Sequence, residues 1–130
     1  MKTILIVDDS PTIRRIVRAA FRDAPVSIAE AASGLEAIEQ LSLANVGLMV
    51  LDLNMPDMHG LEVLKFVRKH PSLGRLPVIV LTTRGDEASR TAAMTAGATV
   101  YLTKPFAPNA LSETALALME TAGAGGVVTP

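Results

Sequence analysis

The chain contains no cysteine, and this absence excludes disulfide bonds, thiolate catalysis and zinc sites built on sulfur. Aromatic residues make up only 3% of the 130 residues, whereas 49% are hydrophobic, so we expect a core packed by alanine, leucine, valine and isoleucine. The formal net charge is −1, which creates no overall field that would attract nucleic acid or an anionic membrane. The composition therefore predicts a folded α/β protein.

Long hydrophobic runs are also missing from the chain. The first apolar run, at residues 4–7, is stopped by Asp8 and Asp9, so it is too short for the apolar region of a signal peptide. No later run approaches the length of a membrane-spanning helix. We therefore expect a cytoplasmic, single-domain protein that binds neither nucleic acid nor a membrane.

Short apolar runs alternate with segments of helical periodicity. The apolar runs predict five strands, at residues 3–7, 26–29, 47–51, 76–81 and 100–102. The segments between and after them predict five helices, at residues 11–22, 34–42, 60–70, 87–97 and 108–121. The chain ends in a stretch rich in glycine and alanine, so we expect a folded domain over residues 1–122 and a flexible tail over residues 123–130.

Capping residues support three of these helices. Ser10 is followed by proline, which is typical of an N-cap and the first helical position. Ser33 and Glu36 have the spacing of a capping box, and Asp86 is expected to cap the fourth helix.

The alternation of strands and helices predicts a parallel, doubly wound sheet. Because helix-length crossovers are right-handed, helices cover both faces of such a sheet. For a chain of this length, the order 2-1-3-4-5 of a flavodoxin-like fold fits best, and it makes the first and third strands neighbours.

Four of the five predicted strands end in polar residues that can take part in chemistry. Asp8 and Asp9 follow the first strand, and Asp52 follows the third. Thr82 and Lys104 end the fourth and fifth strands. Ligands of open α/β sheets bind beyond the carboxyl ends of the strands, so we expect all five residues to line one pocket.

Three neighbouring carboxylates cannot all remain ionised without a compensating charge. A divalent cation supplies that charge, and ligands that are all oxygen atoms favour Mg²⁺ or Mn²⁺. An aspartate can attack phosphorus and form an aspartyl-phosphate. A metal ion and a lysine would neutralise the charge that spreads over the phosphoryl oxygens during the transfer.

The order and spacing of these motifs resemble those of a two-component receiver domain. The motifs are Asp8-Asp9, Asp52-Leu53-Asn54-Met55-Pro56, Thr82 and Lys104-Pro105. The resemblance covers about residues 2–121, nearly the whole chain, so the chain is similar to a single-domain response regulator of the chemotaxis type.

The resemblance implies a role for each acidic residue. Asp52 would accept a phosphoryl group from the phosphohistidine of a sensor histidine kinase or a histidine phosphotransfer protein. Asp9, Asp52 and the backbone carbonyl of Asn54 would ligate Mg²⁺. Asp8 would act through a bound water, and Lys104 would pair with the phosphoryl oxygens.

The resemblance also implies a conformational switch. The hydroxyl of Thr82 would move to the phosphoryl group, and Tyr101 would then turn inward. A cis peptide bond would precede Pro105. The surface of the fourth helix, fifth strand and fifth helix would change its affinity for a downstream protein. The domain would promote its own phosphorylation and dephosphorylation without acting as an enzyme on another substrate.

Several charged residues have a structural interpretation beside a functional one. Asp57 is expected to be a turn residue rather than a ligand, and His59 and His70 are expected on the solvated surface. Thr83 and Arg84 depart from the residues that are common in the family beside the switch threonine. Four arginines form either a solvated helix face or a docking surface for a kinase, namely Arg14, Arg15, Arg18 and Arg22.

The main alternative is a metal-dependent phosphohydrolase that uses an aspartyl-phosphate. Such enzymes usually place a second aspartate two residues after the nucleophile, where this chain has Asn54. A pseudo-receiver is disfavoured because every charged pocket residue is present, and a nucleotide switch because no glycine-rich phosphate loop follows the first strand. Motor control, chemotactic adaptation, phosphorelay and kinase tuning are all consistent with a lone receiver.

Overall fold

The computed structural model describes residues 2–123, and the predicted tail lies outside the described residues from position 124 onward. Strands and helices alternate along this part of the chain. The strands are β1 (Lys2–Val7), β2 (Val26–Ala31), β3 (Val46–Leu51), β4 (Val78–Thr82) and β5 (Val100–Thr103). The helices are α1 (Pro11–Ala20), α2 (Gly34–Leu43), α3 (Gly60–Lys69), α4 (Glu87–Ala96) and α5 (Pro108–Gly123).

The five strands form one parallel sheet in the order β2-β1-β3-β4-β5, which confirms the predicted doubly wound topology. The register aligns Val7 of β1 with Leu51 of β3. The residues that follow them, Asp8 and Asp52, therefore leave the sheet side by side. A hydrogen bond from the N–H of Asp52 to the carbonyl of Val7, at 2.9 Å, continues the ladder to that edge. The register therefore brings the two acidic motifs together.

Alternate residues of each central strand supply two separate cores. In β1, Leu5 and Val7 pack on the face covered by α2, α3 and α4. Ile4 and Ile6 pack on the opposite face, which α1 and α5 cover. Because both faces of β1 and β3 are buried, these strands are apolar at nearly every position rather than at every second one.

The element boundaries differ from the predictions by one or two residues at several ends. β2 continues to Ala31 because its last residues pair with β1 despite their weak apolar pattern. β4 begins at Val78 rather than at residue 76, since Pro77 has no N–H to donate to a neighbouring strand. α1 ends at Ala20, and Phe21 and Arg22 continue only as a turn.

The predicted N-caps are formed, and Ser33 accepts a hydrogen bond from the N–H of Glu36. The capping box is only half formed, because the Glu36 side chain accepts from the N–H of Ala32 rather than from that of Ser33. Ser10 accepts a hydrogen bond from the N–H of Ile13, and Asp86 accepts one from the N–H of Ser89. Gly97 ends α4 in the left-handed conformation, with φ of 114°. None of the described helices combines the length and apolarity that a membrane crossing requires.

Candidate functional site

Three aspartates meet at the carboxyl edge of the sheet. Asp8 and Asp9 follow β1, Asp52 follows β3, and one carboxylate oxygen of each lies within 4.8 Å of the others. Asp8 and Asp52 are buried, whereas Asp9 is exposed. The sheet register creates this cluster, because the two strands end at the same level.

Lys104 is the cation that faces the cluster. Its Nζ lies 2.8 Å from Oδ2 of Asp8 and 3.6 Å from Oδ1 of Asp52. The residue follows β5, and its N–H donates to the carbonyl of Thr82 at 2.8 Å. The peptide bond between Lys104 and Pro105 is cis, as predicted.

The electrostatic balance of the pocket leaves negative charge in excess. Burial raises the pKa of Asp52, and the neighbouring Asp8 raises it further, whereas Lys104 and the N–H of Asn54 act in the opposite direction. One lysine ammonium faces three carboxylates. Clustered carboxylate oxygens with uncompensated charge are the donors that Mg²⁺ and Mn²⁺ prefer, so this set of side chains fits such an ion.

Thr82 and Tyr101, on the neighbouring strands β4 and β5, both contact the backbone of Arg84. Thr82 is fully buried, and its Oγ1 accepts a hydrogen bond from the N–H of Arg84 at 3.3 Å. The Tyr101 ring is already buried in this structure, its hydroxyl donates to the carbonyl of Arg84, and the guanidinium of Arg90 lies 5.6 Å from its centroid. Burial raises the pKa of Tyr101, and the negative charge of Asp86 adds to the effect.

The loop after β3 is fixed at two points away from the cluster. The carboxylate of Asp57 accepts hydrogen bonds from the N–H groups of Gly34 and Leu35, both at 3.1 Å, and thus caps α2. Burial opposes ionisation of Asp57, but these donors outweigh it, so the pKa of Asp57 lies below its ordinary value. His59 caps α3 by accepting the N–H of Leu61 on Nδ1 at 3.1 Å. These contacts give Asp57 a structural role, and His59 is exposed, as the sequence predicted.

The interpretation of the arginines on α1 as one outer face is only partly correct. Arg14 is half-buried and donates to the carbonyl of Asp8 in the loop that holds Asp8 and Asp9, here called the acidic loop. Both Arg14 and Arg18 pair with Glu30 of β2. Arg15 and Arg22 are exposed. Sequence reasoning missed Glu30 because a lone acidic residue in a weak strand belongs to no motif. The position of Glu30 between the apolar residues Ala29 and Ala31 is the one sequence feature that could have pointed to it.

Arg84 and Thr83, the two residues that depart from the family pattern, are exposed. Arg84 pairs with Asp86 at 3.3 Å in the loop before α4. A cavity of about 220 Å³ lies between this loop and the loop after β3, and its lining includes Asn54, Arg84 and Asp86. Arg84 therefore borders the same cavity as Asn54, two residues after Asp52.

Comparison with known proteins gives one consistent family. The family model described as "Response regulator receiver domain" matches residues 4–116. Chemotaxis protein CheY1 of Helicobacter pylori is 39% identical over 112 residues, which cover 85% of this chain and 90% of that protein. A CheY homolog of Campylobacter jejuni is also 39% identical over 112 residues, which cover 85% of this chain and 86% of that protein.

Solved structures agree with the sequence relatives. The chemotaxis response regulator CheY4 of Vibrio cholerae has a TM-score of 0.83 and 35% identity, with 91% of this chain and 98% of that chain covered. A response regulator from Chloroflexus aurantiacus has a TM-score of 0.86 and 34% identity, with 92% and 98% covered. The chain therefore belongs to the family of response regulator receiver domains, and within it to the CheY type.

Proposed function

We propose that Asp52 accepts a phosphoryl group from the phosphohistidine of a sensor histidine kinase or a histidine phosphotransfer protein, in a reaction that depends on Mg²⁺ or Mn²⁺. The observation that carries this proposal is the placement of a buried Asp52 carboxylate within 4.8 Å of two further carboxylates and 3.6 Å from a lysine ammonium. The burial of Asp52 shields its carboxylate from bulk water, and Lys104 lies close enough to favour its ionised form, which is the form that attacks phosphorus.

In the proposed transfer, a carboxylate oxygen of Asp52 forms a bond to phosphorus while the bond between phosphorus and the imidazole nitrogen breaks. The electron pair of the broken bond returns to the imidazole. Asp9, Asp52 and the backbone carbonyl of Asn54 would hold the divalent ion, and Asp8 would contact it through water. When bound, the ion neutralises charge on the phosphoryl oxygens and lowers the repulsion between the reactants.

Lys104 would supply the fixed positive charge of the site. Its ammonium already lies between Asp8 and Asp52, so an exchange of the Asp8 contact for a phosphoryl oxygen would require only a small movement. The hydroxyl of Thr82 would rotate to donate to another phosphoryl oxygen, and this movement of Oγ1 would release the N–H of Arg84. Since Tyr101 donates to the carbonyl of Arg84, this exchange would reach the switch tyrosine directly.

The output of the switch would be a change in affinity for a downstream protein at the surface of α4, β5 and α5. We place this function in a cytoplasmic receiver domain over residues 1–122 that promotes its own phosphorylation and dephosphorylation and contacts neither nucleic acid nor a membrane. The cation–π contact between Arg90 of α4 and Tyr101 of β5 supports the proposal, because it joins two elements of that surface.

The test of the acceptor uses the purified protein, Mg²⁺ and a histidine kinase labelled on its phosphohistidine. We expect label on the wild-type chain and none above background on the Asp52→Asn variant, which keeps the size of the side chain. Asp57→Asn is the matched control in the same loop, since its amide oxygen can still cap α2, and it should be labelled normally.

Two results would contradict the proposed function. Label that persists in the Asp52→Asn variant would exclude Asp52 as the acceptor. Repeated hydrolysis of a simple phosphate ester without any kinase would favour the phosphohydrolase alternative.

The Lys104→Ala variant should still take up label, but it should lose the increase in partner binding that beryllofluoride produces in the wild-type protein.

A further inference from the structure

Arg14 contacts the backbone of the acidic loop. Its Nη1 donates a hydrogen bond to the carbonyl of Asp8 at 2.6 Å, and only 17% of its side chain is exposed. Hydrogen bonds from a charged donor are about twice as strong as neutral ones, so this contact restrains the peptide that joins Asp8 to Asp9.

Glu30 of β2 orients the guanidinium of Arg14. Oε1 of Glu30 accepts from Nε of Arg14 at 2.9 Å, and Oε2 lies 2.7 Å from Nη2 of Arg18. Burial opposes ionisation of Glu30, but the hydrogen bonds and charges of Arg18 and Arg14 outweigh it, so the pKa of Glu30 lies below its ordinary value. The carboxylate is therefore ionised at neutral pH and compensates part of the charge of Arg14.

The two aspartates of the loop differ in how they are held. Asp8 is restrained by both its side chain and its backbone: Oδ1 accepts from the N–H of Ser10 at 2.9 Å, and Oδ2 accepts from Lys104 at 2.8 Å. The side chain of Asp9 is exposed and has no hydrogen bond or ion pair to any residue in the range 2–123. The direction of the Asp9 carboxylate therefore depends on its backbone, which the bond from Arg14 restrains.

We propose that Arg14 is a positioning residue for the metal site. Glu30 orients Arg14, and Arg14 keeps the Asp8–Asp9 peptide in the direction that turns the Asp9 carboxylate toward Asp52. This inference rests on the proposed function, because it assigns Asp9 to metal binding. It goes beyond that function in giving an arginine and a glutamate outside the pocket a role in metal affinity.

The sign of the effect separates positioning from simple electrostatics. A cation near the site repels a divalent ion, so the removal of its charge alone leaves the metal affinity unchanged or increases it. The loss of a positioning contact has the opposite effect, because groups behind metal ligands typically contribute about 10–100-fold to affinity.

The experiment measures Mn²⁺ binding to the full chain by calorimetry. We expect the Arg14→Met variant to bind Mn²⁺ about tenfold more weakly than the wild type. Arg18→Met is the matched control, since it also removes a cation paired with Glu30 but has no contact with the loop, and it should stay within about twofold of the wild type.

A second measurement uses the metal-free protein. We expect the N–H of Ser10 to exchange with solvent faster in the Arg14→Met variant, by more than any loss of overall stability explains, and at the wild-type rate in the Arg18→Met variant. Arg14→Lys serves if the methionine variant does not fold. A lysine cannot contact Asp8 and Glu30 in the same way as the fork of the guanidinium, so this variant should also bind Mn²⁺ more weakly.

Mn²⁺ affinity of the Arg14 variants equal to or higher than that of the wild type would overturn the inference and leave the proposed function standing. An equal loss in the Arg14→Met and Arg18→Met variants would also overturn it, because the effect would then belong to the charge pairing with Glu30. A wild-type chain that neither binds Mn²⁺ nor accepts phosphate would instead remove the proposed function itself, and the inference with it.

Discussion

Gly60 occupies a position where any side chain would meet the backbone of the loop after β3. A Cβ atom on Gly60 would lie 2.5 Å from the carbonyl oxygen of Asp52 and 2.7 Å from Cα of Leu53. Because both are backbone atoms, they cannot turn aside as a flexible side chain could. The N–H of Gly60 also donates to the carbonyl of Leu53 at 2.8 Å, so this glycine seats the start of α3 against the residues after β3.

We therefore predict that Gly60→Ala lowers the free energy of unfolding by about 1–3 kcal/mol, since the overpacking exceeds the gain in helix propensity. The control is Gly85→Ala, because a Cβ there meets only the Cγ2 atom of Thr103 at 3.4 Å. Urea unfolding should show a lower midpoint for the Gly60 variant and little change for the Gly85 variant. A Gly60 variant as stable as the wild type would show that the loop can shift without cost.

At the scale of the elements, Arg68 of α3 holds the C-terminal end of α4. Nε of Arg68 donates to the carbonyl of Gly97 at 2.9 Å, and Nη1 donates to the carbonyl of Leu76 at 2.6 Å. A cation at this end of a helix also interacts favourably with the helix dipole. The opposite end of α4 is capped by Asp86, which pairs with Arg84 in the preceding loop. A rearrangement of α4 is therefore expected at its N-terminal end, with Arg68 restraining the other end.

The Arg68→Met variant tests this attachment. We expect a loss of about 2–3 kcal/mol of stability, because the carbonyls of Gly97 and Leu76 lose a charged donor. Amide hydrogens of the last turn of α4 should exchange faster than in the wild type. Lys69→Met, which changes the exposed neighbour, should alter stability by no more than about 0.5 kcal/mol. Equal exchange rates in the two variants would contradict the assignment.

At the scale of the whole molecule, we expect the acidic cluster to make folding sensitive to divalent ions. A metal ion that binds only the folded chain stabilises it by mass action, by about 2.7 kcal/mol at a concentration of one hundred times the dissociation constant. Without metal, Lys104 is the one cation that forms ion pairs with the clustered carboxylates among the described residues, while Asp8, Asp9 and Asp52 repel one another. The folded state of the metal-free protein is thus destabilised by its own functional site.

We predict that Mg²⁺ raises the thermal unfolding midpoint of the wild-type protein and that a chelator reverses the change. In the chelator, the Asp52→Asn variant should unfold at a higher temperature than the wild type, because it removes one of the repelling charges. The variant should also gain less from Mg²⁺, since it lacks one of the proposed ligands. A wild-type midpoint that does not respond to Mg²⁺ would contradict the metal site.

The amino-acid sequence by itself determined the alternation of elements, the sheet order and the clustering of Asp8, Asp9 and Asp52. These features follow from local patterns, because apolar runs, caps and strand ends are read within a few residues, and few topologies suit five such units. Interior strand positions were predicted well, and the ends of β2 and β4 less well, since pairing with a neighbour decides where a strand stops.

Only the tertiary structure decided which distant groups meet. Asp57 contacts the first turn of α2 across more than twenty residues of sequence. No local sequence pattern spans such a distance. The direction of Arg14 depended on Glu30, which β2 carries to the side of α1. A sequence motif reports which chemistry a residue can perform, whereas its partner is set by how the packed sheet and helices align, and packing is a property of the whole chain.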